Sequence, residues 1–150
     1  MNHACLDHVG ITVTSLESSL EFWSRLLSAD VVDHRRLESP DIARMVDCDA
    51  AVIDRALLKS PFGFSLELLQ YLSHPDVLVQ PRAAQPGTVH VCIESDEFDH
   101  VWELAIDYGA VPVGASPISL SSPDGGRFRV GYVSTPDGVL LELKESPVAK

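Results

Sequence analysis

The first half of the chain alternates stretches of two-residue hydrophobic periodicity with one stretch of helical periodicity. Apolar residues alternate with small and polar ones over residues 6–13, which predicts a half-buried strand. Thr14 followed by Glu17 has the form of a capping box, so a helix is predicted from about Ser15 to Ser28. Further strands are predicted at residues 31–37, 51–59 and 64–71, with a short helical turn that begins at Ser39–Pro40.

The second half of the chain shows the same order of elements. Residues 88–95 alternate as a strand, Asp96 can cap a helix, and Gly109 suits the position just past its end. Strands are then predicted at residues 111–120, 128–133 and 139–144. Between the halves, a proline-rich stretch with little periodicity is predicted to be a connector.

Both halves contain a strand, a helix and then three strands, which indicates an internal duplication. We predict one domain over residues 1–150, with a first module at about residues 5–72 and a second at about residues 88–146. The connector occupies about residues 73–87. Because this repeat is longer than solenoid units, the two modules are predicted to form a pseudo-twofold pair in an α+β fold.

Two glutamates stand at matching places in strands that are otherwise apolar. Glu67 lies four residues after Gly63, and Glu142 lies four residues after Gly138. A carboxylate in an apolar strand is costly unless it is paired or bound to a cation. One such residue could be an accident of a strand edge, but two in matching places call for a common cause.

The first strand of each module carries a histidine at a matching place as well. When His8 is aligned with His90, Glu67 and Glu142 also correspond, at 59 and 52 residues from their histidines. Strand parity places each of these side chains opposite the main apolar set of its strand. If helices cover the apolar faces, all four residues are expected to project onto one uncovered, concave side.

Two imidazoles and two carboxylates form a donor set for a divalent metal ion such as Ni, Co, Mn, Fe or Zn. The predicted site is His8, Glu67, His90 and Glu142, with the metal acting as a Lewis acid on a substrate. A structural explanation stands beside this one, because a single histidine on a strand is more often a core or surface group. Glu142 could also reach solvent from its strand end. The other histidines are not expected to take a direct part in catalysis: His3, His34, His74 and His100.

The composition fits a globular domain and limits its partners. The chain has 150 residues, of which 45% are hydrophobic and 22% charged, so it can bury a sizeable core. A formal net charge of −11 disfavours nucleic acid and anionic membranes as partners. Cys5, Cys48 and Cys92 form no Cys-x-x-Cys pair, and free thiols are expected. The N-terminal residues lack the pattern of a secretion signal, so a cytoplasmic location is expected.

Four segments carry a resemblance to a known family. They read Leu6-Asp7-His8-Val9-Gly10-Ile11-Thr12-Val13, Leu66-Glu67-Leu68-Leu69, Gly87-Thr88-Val89-His90-Val91 and Pro136-Asp137-Gly138-Val139-Leu140-Leu141-Glu142-Leu143. Together they are similar to the vicinal oxygen chelate superfamily. That group includes glyoxalase I, methylmalonyl-CoA epimerase, extradiol dioxygenases, fosfomycin resistance enzymes and bleomycin resistance proteins. The resemblance implies a glyoxalase-like fold, in which two βαβββ modules form a curved mixed sheet around a metal cleft, commonly in a homodimer.

The resemblance also implies a site and a type of reaction. His8, Glu67, His90 and Glu142 match the family's four metal positions. This favours a lyase or an isomerase, of the glyoxalase or acyl-CoA epimerase type, that removes a proton next to the carbonyl group of a small-molecule substrate. Glu142 or Glu67 would be the base, and Glu38 is an outside candidate. A protein that binds a small molecule or an antibiotic, a metal-dependent dioxygenase and a thiol transferase are the alternatives.

Overall fold

Two compact units make up the chain, Met1–Val77, here called module 1, and Leu78–Lys150, called module 2. The computed structural model describes residues 4–74, 78–123 and 125–146, apart from the side chain of Ser116. His3 and part of the predicted connector lie outside these residues. The boundary between the units falls within residues 73–87, where the connector is predicted.

Within its described residues, module 1 contains four strands and two helices. Its elements are β1 (Val9–Thr12), α1 (Leu16–Leu27), β2 (Asp30–Glu38), α2 (Pro40–Met45), β3 (Val52–Lys59) and β4 (Ser65–Tyr71). The strands form one mixed sheet in the order β1-β4-β3-β2, in which only β1 and β4 run parallel. The last strand of the module therefore lies inside the sheet, beside the first.

Module 2 repeats this arrangement. Its elements are β5 (His90–Ser95), α3 (Phe98–Asp107), β6 (Val111–Ser121), β7 (Arg127–Ser134) and β8 (Leu140–Glu145). The sheet order is β5-β8-β7-β6, again with the first and last strands parallel and the other neighbours antiparallel. The predicted α+β fold with strand, helix and three strands in each half is confirmed, and each half has its own four-stranded sheet.

Helix α1 covers one face of the module 1 sheet because its apolar side chains recur at helical spacing. Phe22 and Trp23 are buried, and Trp23 has no solvent exposure at all. The helix contacts β3 and β4, where Leu66 and Leu68 are also fully buried. Burying side chains of this size stabilises a fold by about 1.5–3 kcal/mol each. Leu66 and Leu68 therefore point to the face of the sheet that α1 covers. Because side chains alternate along a strand, Glu67 points to the opposite face.

Helix α3 has the corresponding place in module 2. It contacts β5 and β8, and its Phe98 is buried together with Leu141 and Leu143 of β8. Trp102 stacks on Phe98 with ring centroids 5.9 Å apart. The indole also lies against Gly131 of β7, where a Cβ atom would come within 2.7 Å of the Trp102 ring. Only a glycine at position 131 allows this close approach of Trp102. The contact packs β7 against α3 at the residue before Tyr132.

The helix starts differ from the predicted ones by one residue. Ser15, not Thr14, is the N-cap of α1, because its extended backbone lets the hydroxyl accept a hydrogen bond from the Ser18 N–H. The prediction that Asp96 caps α3 is also wrong. Glu97 occupies the N-cap position of that helix without a side-chain cap bond, and its N–H donates to the Ser95 hydroxyl instead.

The described fold holds together without disulfide bonds. Cys5, Cys48 and Cys92 are free thiols, as predicted. Among the described helices, none combines the length and apolar character required to cross a membrane.

An ion network in module 2 should make its stability sensitive to acid. Arg129 on β7 contacts Glu145 of β8 at 2.9 Å and Asp99 of α3 at 2.5 Å, with its guanidinium 4.7 Å from the centre of the Phe98 ring. The Arg129 side-chain and backbone hydrogen bonds hold the pKa of Glu145 below its ordinary value of 4.5. Folding therefore gains stability from ionised Glu145 above that value, and loses it as the pH falls through the lowered pKa.

Glu145→Gln is accordingly expected to destabilise the protein most at neutral pH. The difference from wild type in urea-induced unfolding should shrink as the pH falls below 4.5. Glu103→Gln, an exposed change on α3, is the matched control and should leave the stability difference small at every pH. A Glu145→Gln effect that is independent of pH would contradict the expectation.

Candidate functional site

The two modules use the same strand register to bring a histidine and a glutamate together. In module 1, Gly10 lies beside Glu67, and Gly10 is two residues after His8. In module 2, Cys92 lies beside Glu142, and Cys92 is two residues after His90. Residues two apart on a strand point to the same face. Within each module the register thus places the histidine and the glutamate on one face, as strand parity predicts.

His8 and Glu67 form the pair of module 1. Nε2 of His8 lies 3.3 Å from Oε2 of Glu67, and Nδ1 lies 2.7 Å from a carboxylate oxygen of Asp7. The hydrogen bond with Asp7 raises the pKa of the His8 imidazole, and the Glu67 charge acts in the same direction. An imidazole that donates Nδ1–H to a carboxylate can present Nε2 to a metal ion, and this orientation is usual for metal-ligating histidines.

Glu67 is also held by a buried arginine, Arg55 of β3. Nε of Arg55 donates to Oε1 of Glu67 at 2.6 Å, and Nη1 of Arg55 contacts Asp33 of β2. The Arg55 side chain is only 11% exposed, so its charge depends on these two carboxylates for compensation. The two oxygens of Glu67 therefore have different partners, the guanidinium at Oε1 and the His8 imidazole at Oε2.

His90 and Glu142 form the pair of module 2. Nε2 of His90 lies 3.1 Å from Oε2 of Glu142, and the hydroxyl of Tyr132 on β7 donates to the same oxygen at 3.1 Å. The Tyr132 ring meets the His90 ring edge-on, with centroids 5.3 Å apart. Desolvation and the hydrogen bond to Glu142 raise the pKa of Tyr132, so its hydroxyl stays protonated and acts as a donor.

The two glutamates thus differ in the charge of their supporting residue. Glu67 accepts a charge-assisted hydrogen bond from a guanidinium, whereas Glu142 accepts one from a neutral phenol. The guanidinium adds the attraction of opposite charges to its hydrogen bond, whereas the phenol brings no charge of its own. Glu67 is therefore the more firmly held carboxylate, and Glu142 is held with its negative charge uncompensated by an arginine.

Cys92 shares the face of the module 2 pair and lies beside Glu142 in the register. Desolvation and the Glu142 carboxylate raise the pKa of the Cys92 thiol. Since the thiolate is the nucleophile and the metal ligand, a thiol that stays protonated serves neither purpose well. We therefore assign no chemical role to Cys92.

The donor atoms of both pairs are spaced as neighbouring ligands of one metal ion would be. With metal–ligand distances of about 2.1 Å, adjacent corners of an octahedron lie about 3 Å apart. The nitrogen–oxygen separations in the two pairs are 3.3 and 3.1 Å. In module 1, even a Cβ atom at Gly10 would lie 3.8 Å from Oε2 of Glu67, so there is space beside this oxygen. By donor type and by spacing, both pairs fit a divalent metal.

A third histidine–carboxylate contact shows that spacing alone does not mark a metal pair. Nε2 of His34 lies 3.2 Å from Oδ1 of Asp54 in module 1. The strand pairing puts His34 and Asp54 on the opposite face of the sheet from Glu67. What sets the His8–Glu67 and His90–Glu142 pairs apart is the register that the two modules share.

Each module supplies two of the four predicted ligands. In the described part of either module, no third histidine, cysteine or carboxylate completes a metal-binding group with its pair. The structure thus brings His8 together with Glu67, and His90 together with Glu142. The assembly of all four into one site stays a prediction. Glu38, the outside candidate for a base, is exposed at the end of β2.

Arg55 and Tyr132 were not identified from the sequence. Residues equidistant from a hairpin turn pair across its strands, and Tyr132 and Glu142 are equidistant from residue 137 in the turn Pro136–Gly138. The same rule with the turn at Ser60–Gly63 puts Arg55 two residues from the partner of Glu67. The short turns between the predicted strands therefore indicate which residues lie near both glutamates.

Comparisons with known proteins agree with this architecture. The family model of the glyoxalase/bleomycin resistance protein/dioxygenase superfamily matches residues 7–126. A 2-epi-5-epi-valiolone epimerase from Actinomyces sp. is 27% identical over 143 residues, which cover 93% of this chain and 78% of the relative.

Solved structures show the same fold. A glyoxalase family protein from Bacillus cereus superposes with a TM-score of 0.83 at 20% identity, covering 99% of this chain and 97% of that one. The fosfomycin resistance protein FosX from Listeria monocytogenes superposes with a TM-score of 0.61 at 16% identity, covering 98% and 97%.

The family model, which matches most of the chain, agrees with the duplicated α+β unit and shows the class of protein. This chain belongs to the glyoxalase/bleomycin resistance protein/dioxygenase superfamily, also called the vicinal oxygen chelate superfamily. The range matched by the family model includes His8, Glu67 and His90 and ends before Glu142. The assignment of Glu142 therefore depends on the repeated register.

Proposed function

We propose that this protein is a metal-dependent isomerase or lyase, which moves a proton at the carbon next to the carbonyl group of a small molecule. His8, Glu67, His90 and Glu142 would hold one divalent ion, either Ni, Co, Mn, Fe or Zn. The observation that carries the proposal is the shared register. In both modules it sets an imidazole nitrogen close to a carboxylate oxygen on the face away from the buried core.

The two glutamates have different roles in the proposed reaction. When bound, a divalent ion supplies a Lewis acid for the carbonyl oxygen of the substrate. Glu142 is the proposed base, because in the described part of the chain no arginine contacts its oxygen next to His90, where the neighbour is the neutral Tyr132 hydroxyl. The Tyr132 hydroxyl oxygen lies 3.1 Å from Oε2 of Glu142 and donates its proton to that hydrogen bond. Glu67, tied to Arg55, is assigned to ligand binding alone.

Among the two reaction types, the relative from Actinomyces favours an isomerase. Its name describes an epimerase, and the similarity extends over 93% of this chain. An epimerase removes a proton from carbon and returns one to the other face, so a base and a proton donor are both needed. Glu142 would supply the base, and Tyr132, hydrogen-bonded to the same carboxylate, would hold it in place. The substrates to test are 2-epi-5-epi-valiolone, acyl-CoA thioesters and hemithioacetals.

Metal binding tests the site directly. The purified protein is expected to bind about one divalent ion per chain, as measured by elemental analysis and titration calorimetry. His8→Ala and His90→Ala should weaken binding by more than about 100-fold, since loss of an orienting neighbour alone costs about 10–100-fold. His34→Ala removes a histidine with a carboxylate contact of the same length and should bind as wild type does. A wild-type protein that stays metal-free after incubation with Ni, Co, Mn and Zn ions contradicts the proposal.

Proton exchange tests the reaction. The metal-loaded protein should exchange the proton next to the carbonyl group of one substrate class in deuterated water, and a chelator should stop the exchange. Three other results would each indicate an alternative. Tight binding of a small molecule that a chelator does not change, without turnover, indicates a binding protein. Oxygen consumption indicates a dioxygenase, and dependence on a thiol cosubstrate indicates a thiol transferase.

A further inference from the structure

A chain of ion pairs crosses the site-bearing face of module 1, and it includes Asp33 and Arg35, to which the proposed reaction assigns no role. Nε of Arg35 lies 3.0 Å from Asp33 on the same strand, Asp33 contacts Nη1 of Arg55, and Nε of Arg55 lies 2.6 Å from Oε1 of Glu67. The register of β2, β3 and β4 puts these side chains on one face. Glu67 thus belongs to a network that extends over β2, β3 and β4.

Arg55 is the member of this network that can orient Glu67. Two different nitrogens of its guanidinium, Nε and Nη1, donate to carboxylates on the two neighbouring strands. These two hydrogen bonds fix the orientation of the planar guanidinium group. Glu67 and Arg55 are 17% and 11% exposed at their side chains, so water competes little for their hydrogen bond. A carboxylate held at Oε1 in this way has one oxygen left, Oε2, which is the atom that faces His8.

We propose that Arg55 is a positioning residue that makes Glu67 a ligand through one oxygen. The inference rests on the proposed function, because it concerns a metal held by Glu67. By keeping Oε1 occupied, Arg55 would leave Oε2 as the one oxygen of Glu67 available to an ion, and it would make Glu67 a poor base.

A simple charge effect predicts the opposite result from a positioning effect. A guanidinium close to a metal site repels a divalent cation, so removal of its charge should tighten metal binding if charge were all that mattered. If Arg55 orients Glu67, removal of Arg55 should weaken metal binding. The Glu67 side chain would then be mobile in the free protein, and fixing it on binding would reduce the free energy of metal binding. The direction of the change therefore separates the two effects.

The test uses the full chain, Mn²⁺ alone as the probe, and three variants. Arg55→Lys keeps the positive charge but cannot donate to two carboxylates from a planar group, and Arg55→Gln removes the charge. Arg35→Gln is the control, because it removes a charge that contacts the same Asp33 without contacting Glu67. Titration calorimetry is expected to show Mn²⁺ binding about 10–100-fold weaker in both Arg55 variants and unchanged in Arg35→Gln. With Co²⁺, the visible absorption spectrum should change in the Arg55 variants, because the coordination number rises when Glu67 binds through both oxygens.

Each result decides the proposal. The proposal is overturned if Arg55→Lys has the Mn²⁺ affinity and the Co²⁺ spectrum of the wild type. It is also overturned if Arg55→Gln binds Mn²⁺ more tightly. In both cases the proposed metal-dependent function still stands. Equal weakening in Arg35→Gln overturns it as well, since the effect would then belong to the network charge. A wild-type protein that binds neither ion overturns this inference together with the proposed function. Far-ultraviolet circular dichroism and thermal unfolding without metal identify a variant that fails to fold, in which case Arg55→Lys, the milder change, decides.

Discussion

Glu142→Gln is expected to lower turnover by about 10²–10⁴-fold at saturating metal concentration, the usual contribution of a general base. The amide keeps an oxygen near His90 and Tyr132 but has neither the negative charge nor the basicity to accept a proton from carbon. The effect should appear in kcat, because the step that it slows follows substrate binding. Metal content measured on the same samples separates loss of the base from loss of a ligand.

Two comparisons make this expectation specific to Glu142. Glu94→Gln removes an exposed carboxylate from the same face of the module 2 sheet, where it pairs with Lys144, and should leave turnover unchanged. Glu67→Gln should weaken metal binding but retain turnover once metal is saturating. If Glu67→Gln abolished proton exchange in a metal-saturated protein and Glu142→Gln did not, the base would be Glu67.

Gly138→Ala is expected to destabilise the protein by about 2–4 kcal/mol, from a strained backbone and a steric clash together. Gly138 has a positive φ of 76°, which side chains disfavour, and a Cβ atom there would lie 2.6 Å from the carbonyl oxygen of Val79. A backbone atom cannot move aside as the end of a flexible side chain can. The loss should show in denaturant unfolding monitored by circular dichroism.

Gly63 is the matched control for this prediction, because it holds the equivalent place in the repeat. It also has a positive φ, of 87°, but a Cβ atom there would meet no other atom within 4 Å. Gly63→Ala should therefore lower the free energy of unfolding only by the strain of a left-handed backbone, about 1–2 kcal/mol. Equal losses in the two variants would show that the Val79 contact contributes nothing to the stability of the turn.

The sequence predicted the faces of the strands better than the neighbours across them. Alternation along one strand shows which side chains are buried with Leu66 and Leu68, and so it put His8 and Glu67 on the other face. The neighbours of Glu67 depend on which residue of β3 lies opposite, and this is a property of the hairpin turn rather than of either strand. Arg55 was therefore missed although its strand was predicted.

Helix starts show a second limit of the sequence pattern. Thr14 and Ser15 are both good N-cap residues, so composition cannot choose between them. In the folded module, the Thr14 carbonyl accepts a hydrogen bond from the Gln70 side chain, which also accepts one from the Leu16 N–H. This contact from β4 lies 56 positions away along the chain and fixes the start of α1 from outside the helix.

The parallel pairing of the first and last strands has a consequence for how each module folds. β5 has β8 as its only neighbour in the described sheet, so its backbone groups find their partners only when residues 140–145 arrive. Contacts between such distant segments carry a loop-closure cost and form slowly. The step that completes the sheet of a module is the same step that joins its histidine to its glutamate. A half-folded module therefore offers no paired ligands, and capture of a metal ion by the pair would report that folding is complete.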